Sequence, residues 1–256
     1  MLASRRKELS LHYTATKSRS QRHSTVTPKI KVIYEDNHLL VVSKSQGIAT
    51  MGAKAGETSM VDLAANYLKN KYSKPGNVYV GVVSRLDKRV SGLLVLARTS
   101  KCAARLSKQI RDRTIRKRYL AITQGPYSGA QNAWVNCEDW VRKNEKLQRM
   151  VIADQSTPEA QKAVLRYKYL GGSRHESLFE VDLITGRKHQ IRLQLANLGF
   201  PILGDTKYAS SAPAFNGGIA LHCAALEFAH PTKSERLQFT DPPLHWPTRF
   251  HQWLSV

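Results

Sequence analysis

The sequence predicts an α+β fold, and three observations carry that expectation. Short β-rich runs outnumber helical stretches, helices and strands mix without a regular βαβ alternation, and composition changes once, near residue 30. Residues 1–29 hold Arg5, Arg6, Lys7, Lys17, Arg19, Arg22 and Lys29 against the single acid Glu8, with many Ser and Thr and little periodicity. They read as a basic, flexible extension, a transit peptide and an over-early start being the alternatives. Residues 30–256 form the folded domain. Strands are expected at 30–34 and 38–43, with Asp36-Asn37 as the turn. Thr58 or Ser59 caps a helix whose Met60, Leu63, Ala64, Tyr67 and Leu68 share one face. Residues 78–83 and 93–97 are β-rich runs around a charged turn. Ser100 caps a second helix, with Cys102, Ala103, Leu106 and Ile110 inward and Lys101, Arg105, Lys108 and Arg111 outward. Further strands are expected at 118–123, 163–170, 177–183, 219–223 and 225–228, and a helix at 189–198 stopped by Gly199.

Charge narrows the partner class. The 256 residues carry 40 Lys+Arg and 19 Asp+Glu, a formal net charge of +21, in a chain of ordinary apolar content. Such a surplus is the electrostatic footprint of a protein that binds a polyanion, nucleic acid first. No run reaches the roughly 18 apolar residues of a membrane span, and the N-terminus lacks a secretory apolar core. Cys102, Cys137 and Cys223 lie far apart with no CxxC pair, which argues against a disulfide framework or zinc knuckle. A cytoplasmic location is expected, or a mitochondrion or plastid if residues 1–29 are a transit peptide.

Three stretches place polar residues where strand packing is expected. In residues 83–93, Asp87 follows one apolar strand and precedes another, among Arg85, Lys88 and Arg89. That setting suits a carboxylate acting as nucleophile or base; a turn aspartate in surface ion pairs is the plainer alternative. In residues 184–192, Gly186 permits a tight turn, the following helix N-terminus offers free N–H groups to an anion, and Arg187 and Arg192 supply planar forks. His189 has no second ligand at metal-binding spacing. In residues 114–121, Tyr119 stands in a basic strand with Arg116, Lys117 and Arg118, either to stack on a nucleobase or as half-buried packing.

Taken together, these motifs resemble those of the RluA-type RNA pseudouridine synthases. Arg85-Leu86-Asp87 with Ser91-Gly92-Leu93 is similar to that family's RLD…SGL signature. Thr185-Gly186-Arg187 through His189-Gln190-Ile191-Arg192, then Gly199 to Asp205 and Lys207-Tyr208, resembles its TGRxHQIR…GD-x-x-Y region. Tyr34 to Val42 with Lys44 resembles its opening strand, and His222 to Phe228 its closing one, with Cys223 at an alanine position. The chain departs from the pattern at Ser45, Ser84 and Val90, where the family usually has Pro, often His, and usually Thr.

The resemblance implies a central mixed, mainly antiparallel sheet with flanking helices and an active-site cleft across it, without an N-terminal S4 domain. It implies isomerisation of uridine to pseudouridine in structured rRNA or tRNA, on a base flipped out of its stack. This chemistry breaks N1–C1′ and remakes the bond through C5, so no metal, nicotinamide or ATP is expected. Asp87 is the implied catalytic carboxylate, by attack or by C2′ deprotonation. Tyr119 lies against the uracil, and Arg187 or Arg192 pairs with Asp87, with Arg187 favoured. Ile191 and Leu86 form apolar wall, Arg85 fills the gap left by the flipped base, and His189 and Lys117 contact substrate. A monomer without an obligatory protein partner is expected. A catalytically silent RNA-binding factor and a metal-dependent phosphoryl-transfer enzyme are the alternatives.

Overall fold

A computed structural model describes residues 29–208 and 210–254; the basic N-terminal extension therefore lies outside the described residues apart from Lys29. One mixed sheet organises them. Its strands are β1 (Lys31–Glu35), β2 (Leu39–Lys44), β3 (Gly81–Val82), β4 (Ser91–Ala97), β5 (Arg116–Gln124), β6 (Trp134–Asn144), β7 (Arg149–Ala153), β8 (Gln161–Gly172), β9 (Glu176–Leu183), β10 (Leu221–Ala229) and β11 (Arg236–Thr240). The order is β1-β2-β4-β10-β5-β9-β8-β6-β7, with β3 paired to β4 and β11 to β10. Every pairing is antiparallel except β4 with β10, so the expected mixed, mainly antiparallel sheet is observed.

The interior is where the apolar runs meet. β2 and β4 bury nearly every residue because they are central and covered on both faces. Helix α1 (Met60–Lys71) starts with a reciprocal capping box between Ser59 and Asp62, resolving the expected choice in favour of Ser59. Helix α2 (Ser100–Arg111) is capped by Thr99, not Ser100, because the Thr99 hydroxyl accepts from the Cys102 N–H at 3.2 Å. Helix α3 (Gln190–Asn197) follows an unusual cap, His189 in the left-handed region at φ +54°. No helix among the described residues is long and apolar enough to cross a membrane.

Four differences from the sequence expectation have physical causes. Residues 78–83 pair only over β3, because the chain turns there into the loop that carries Asp87. β10 is continuous where two strands were expected; the apparent break at Ala224 is a bulge, where the register against β5 shifts between Cys223 and Ala225. The β6–β7 hairpin and β11 were missed. In β6 the inward positions Val135, Cys137 and Val141 are interrupted by Asp139, while Trp140 stands on the other face beside polar residues, so the alternation is too broken for periodicity to register. β11 is short and half exposed.

The β1–β2 turn shows what holds an edge of the sheet. Asp36 Oδ1 accepts from the N–H groups of His38 and Leu39 at 2.7 Å each, and Oδ2 lies 2.7 Å from His230 Nε2 and accepts from the Tyr34 hydroxyl. Burial alone raises the Asp36 pKa, but the His230 contact and the two amides outweigh it and bring it down to about 2. A folded value below the unfolded one stabilises fully above about pH 4 and is lost as pH falls through about 2. Asp36→Asn should therefore cost about 2 kcal/mol at pH 7, with thermal melts converging on wild type toward pH 2.

Candidate active site

A cleft opens on one face of the sheet where the β3–β4 loop, the start of β5 and the β9–α3 turn converge. Its lining contains Arg85, Leu86, Asp87, Lys117, Tyr119, Arg187, His189, Ile191 and Arg192. Those are the nine residues to which the resemblance gives a site role, brought together from three separated stretches. Asp87 is the one carboxylate among the described lining residues.

The Asp87 loop is braced from both sides. The Thr50 hydroxyl donates to the Leu86 carbonyl at 2.8 Å and accepts from the Leu86 N–H at 3.1 Å. Gly47 N–H donates to Lys88 O, and Val90 N–H to Asp87 O. Arg89 reaches across to the carbonyls of Gly204 and Gly218 at 2.6 and 3.0 Å. The loop exit needs a glycine: Gly92 has φ +111°, and an added Cβ would stand 2.4 Å from the Cys223 carbonyl oxygen. That close approach is what lets β4 run parallel to β10 immediately after the loop.

Arg192, from the first turn of α3, is the guanidinium that meets Asp87. Its Nη1 donates to Asp87 Oδ2 at 2.8 Å, while Nε and Nη2 form a fork on the fully buried Asp205 at 2.6 and 2.8 Å. Burial works against the Arg192 charge, but the two carboxylates outweigh it and hold the group protonated. The expected Asp87–Arg187 pair is not formed. Arg187 Nε instead donates to the Lys162 carbonyl at 3.0 Å, because Arg187 precedes the left-handed turn at His189 and points along the rim.

His189 Nε2 lies 3.7 Å from the same Asp87 Oδ2. Burial pushes the imidazole down, to about 4, against the pull of Asp87, so it is neutral at physiological pH. Its Nδ1 is 2.9 Å from the Tyr208 hydroxyl, which accepts from the Met150 N–H. With Tyr208 donating to Nδ1, the imidazole carries its proton on Nε2, facing Asp87. Both neighbours thus address Oδ2, and Oδ1 has no protein donor among the described residues.

Tyr119 projects from β5 beside Cys223 of β10. Burial pushes its phenol well above the ordinary value and the Cys223 thiol up to about 11, so both stay protonated. Lys117, two residues earlier on the same face, is shifted down by burial. Behind the loop, Lys44 is completely buried, its Nζ donating to the carbonyls of Ser45 and Ile48. Burial lowers it to about 8 while Asp87 pulls the other way, which places a second positive charge near Asp87.

Thr50, Asp205, Tyr208 and Lys44 are therefore site-building residues that the sequence reading did not assign. Lys44, Asp205 and Tyr208 lay inside the quoted motifs; what betrays their roles is burial, which a sequence does not display. Thr50 carried no motif signal.

The chain is similar to known proteins. The family described as RNA pseudouridylate synthase matches residues 38–197. The chain is 33% identical to ribosomal large subunit pseudouridine synthase D of Zymomonas mobilis, over 82% of this chain and 68% of that one. It is also 33% identical to an uncharacterized RNA pseudouridine synthase, YhcT, of Bacillus subtilis, over 83% and 69%. Among solved structures, human RNA pseudouridylate synthase domain containing 4 superposes with a TM-score of 0.67 at 24% identity, covering 88% of this chain and 91% of that one, a likeness of fold.

Proposed function

The chain belongs to the RNA pseudouridylate synthase family, and from that premise we propose that it isomerises a uridine of ribosomal RNA at the cleft around Asp87. The observation that carries the site assignment is the lone cleft carboxylate, tied through Oδ2 and open through Oδ1. The relatives named for the large ribosomal subunit support rRNA as the substrate class.

The chemistry follows from that geometry. The target nucleotide leaves its stack at a cost of a few kcal/mol, and the exposed Arg85 beside the loop takes its place. The ribose meets Oδ1, the oxygen required whether the carboxylate attacks C1′ or removes the C2′ proton. Arg192 fixes Oδ2, so the free oxygen keeps one direction, and the Asp205 fork stops Arg192 from following the substrate. Once N1–C1′ breaks, uracil is held between the Tyr119 ring and the apolar wall of Leu86 and Ile191 while it turns to present C5. C5 then bonds to C1′ in place of N1, the C5 proton is released to water and N1 takes up a proton, so the product is an isomer of the starting uridine. Arg187 lies at the rim, where phosphates pass, and Lys117 stands deeper in the cleft wall, two residues before Tyr119.

Release of tritium from RNA carrying 5-³H-uridine tests this reading directly, since only a reaction at C5 frees the label. No release from any rRNA fragment, with RNA affinity retained, would favour a silent RNA-binding factor. Tyr119→Phe keeps the ring and removes the hydroxyl. Single-turnover release should slow by about 100-fold, with RNA affinity within about twofold. An unchanged rate would remove the hydroxyl from proton handling.

A further inference from the structure

The opposite face of the same sheet carries a second polar surface that the cleft chemistry does not use. Strand side chains alternate, so Lys117 and Tyr119 face the cleft while Arg116 and Arg118 face away. Arg118, Asp182 and Arg166 form one cross-strand row; Glu180, Lys168 and Trp134 form the next. Of these, Arg118, Asp182, Arg166 and Trp134 border an open groove with Arg116, Glu227 and Gln238, and Glu180 and Lys168 adjoin it through their pairing with Arg118 and Trp134.

Burial decides the sign this groove shows to solvent. Glu180 and Asp182 are 6% and 18% exposed, whereas Arg118 and Arg166 above them are 35% and 43% exposed. Glu180 accepts from Arg118 at 3.0 Å and lies 2.6 Å from Lys168 Nζ; Arg166 grips Asp182 at 2.5 Å; Arg236 holds Glu227 at 2.8 Å. The carboxylates are thus spent underneath, orienting a layer of cations. Arg116 adds an exposed guanidinium at the start of β5, shortly after exposed Arg111, the last residue of α2, and exposed Arg113 in the turn that follows.

Beside these cations stands Trp134, 39% exposed. The Arg166 guanidinium carbon and Lys168 Nζ lie over its ring, 5.0 and 4.8 Å from the centroid, which holds the indole in place while leaving it partly exposed. A partly exposed aromatic side chain held by oriented cations on an open β-sheet offers what single-stranded nucleic acid requires: stacking for bases, charge for phosphates.

We propose that this back face of the sheet binds a single-stranded segment of the substrate RNA, a base stacking at Trp134 and phosphates meeting Arg166, Arg118 and Arg116. The proposal rests on RNA being the substrate, but it makes the platform separate from the cleft: it adds affinity for flanking RNA and leaves the isomerised nucleotide to Asp87.

The test compares two RNAs sharing one reactive stem-loop, one blunt and one with a single-stranded tail of about twelve nucleotides, within the roughly 4–16 that such sheet platforms cover. Wild-type protein should bind the tailed RNA at least about tenfold more tightly. Trp134→Ala and Arg166→Gln should each erase most of that advantage, while Trp134→Phe retains most of it. Tritium release from the blunt RNA should be unchanged in all three variants, which also shows that they fold. Absence of a tail advantage in wild type, or its persistence in Trp134→Ala, overturns the proposal. Equal loss on blunt and tailed RNA overturns it as well, by assigning these residues to the fold or the cleft. Failure of the proposed reaction is distinguishable, because it abolishes release from the blunt RNA by the wild-type protein.

Discussion

Asp87→Asn should abolish tritium release, by more than about 10⁴-fold under single-turnover conditions, while the dissociation constant for RNA stays within about threefold. The change is nearly isosteric and removes the negative charge that a reaction at C1′ or C2′ needs. Its structural consequences should be small. Arg192 keeps both bonds to Asp205, and the loop is held by Thr50, Gly47 and Arg89 rather than by the Asp87 side chain. With Asp87 about one-third exposed, the melting temperature should move by no more than a few degrees. A loss of binding matching the loss of turnover would make Asp87 an anchoring residue and not the reactive one. The prediction is sharp because no other carboxylate among the described residues lines the cleft. Asp205 is fully buried behind Arg192, and the nearby Glu57 is committed to Lys88 at 2.8 Å on the outside of the loop.

The contrast between Asp87 and its partners also explains what was legible in the sequence. Asp87, Tyr119 and Arg192 stood out because each is a polar residue inside a β-rich or helical frame, and the structure gathers them into one cleft. Which arginine meets Asp87 was not legible. Arg187 and Arg192 share one motif, and their separation in space depends on His189 adopting a left-handed conformation that non-glycine residues seldom take. That turn sends the chain into α3 with Arg192 inward and leaves Arg187 on the rim. Lys44 was invisible for a related reason: lysine is almost never fully buried, and nothing in the sequence announces two backbone carbonyls waiting to receive it. The sheet was read best where one face is apolar. It was lost in β6, where polar residues break the apolar alternation, so the segment that periodicity missed is the one that contributes Trp134 to the second surface.

Arg192→Gln should damage stability and catalysis together, and a double variant separates the two. Alone it leaves Asp205, with no exposed side-chain surface, without the guanidinium that engages both its carboxylate oxygens. Breaking a buried pair from one side costs about 3–5 kcal/mol, roughly a 10 °C drop in melting temperature for a domain of this size. Turnover should fall by at least about 100-fold, because Asp87 Oδ2 loses its fixed donor. Replacing both partners, Arg192→Met with Asp205→Leu, removes the stranded charge and fills the space with apolar atoms, so most of the lost melting temperature should return. Turnover should not return, since Oδ2 is still unheld and Oδ1 no longer keeps one direction. Arg187→Gln provides the control: its guanidinium bonds only a carbonyl at the rim, so the melting temperature and the rate on saturating RNA should both stay near wild type, with affinity falling modestly. If turnover recovers with stability in the double variant, Arg192 serves the fold alone, and the direction of Asp87 must be set by the other group at Oδ2, the Nε2–H of His189.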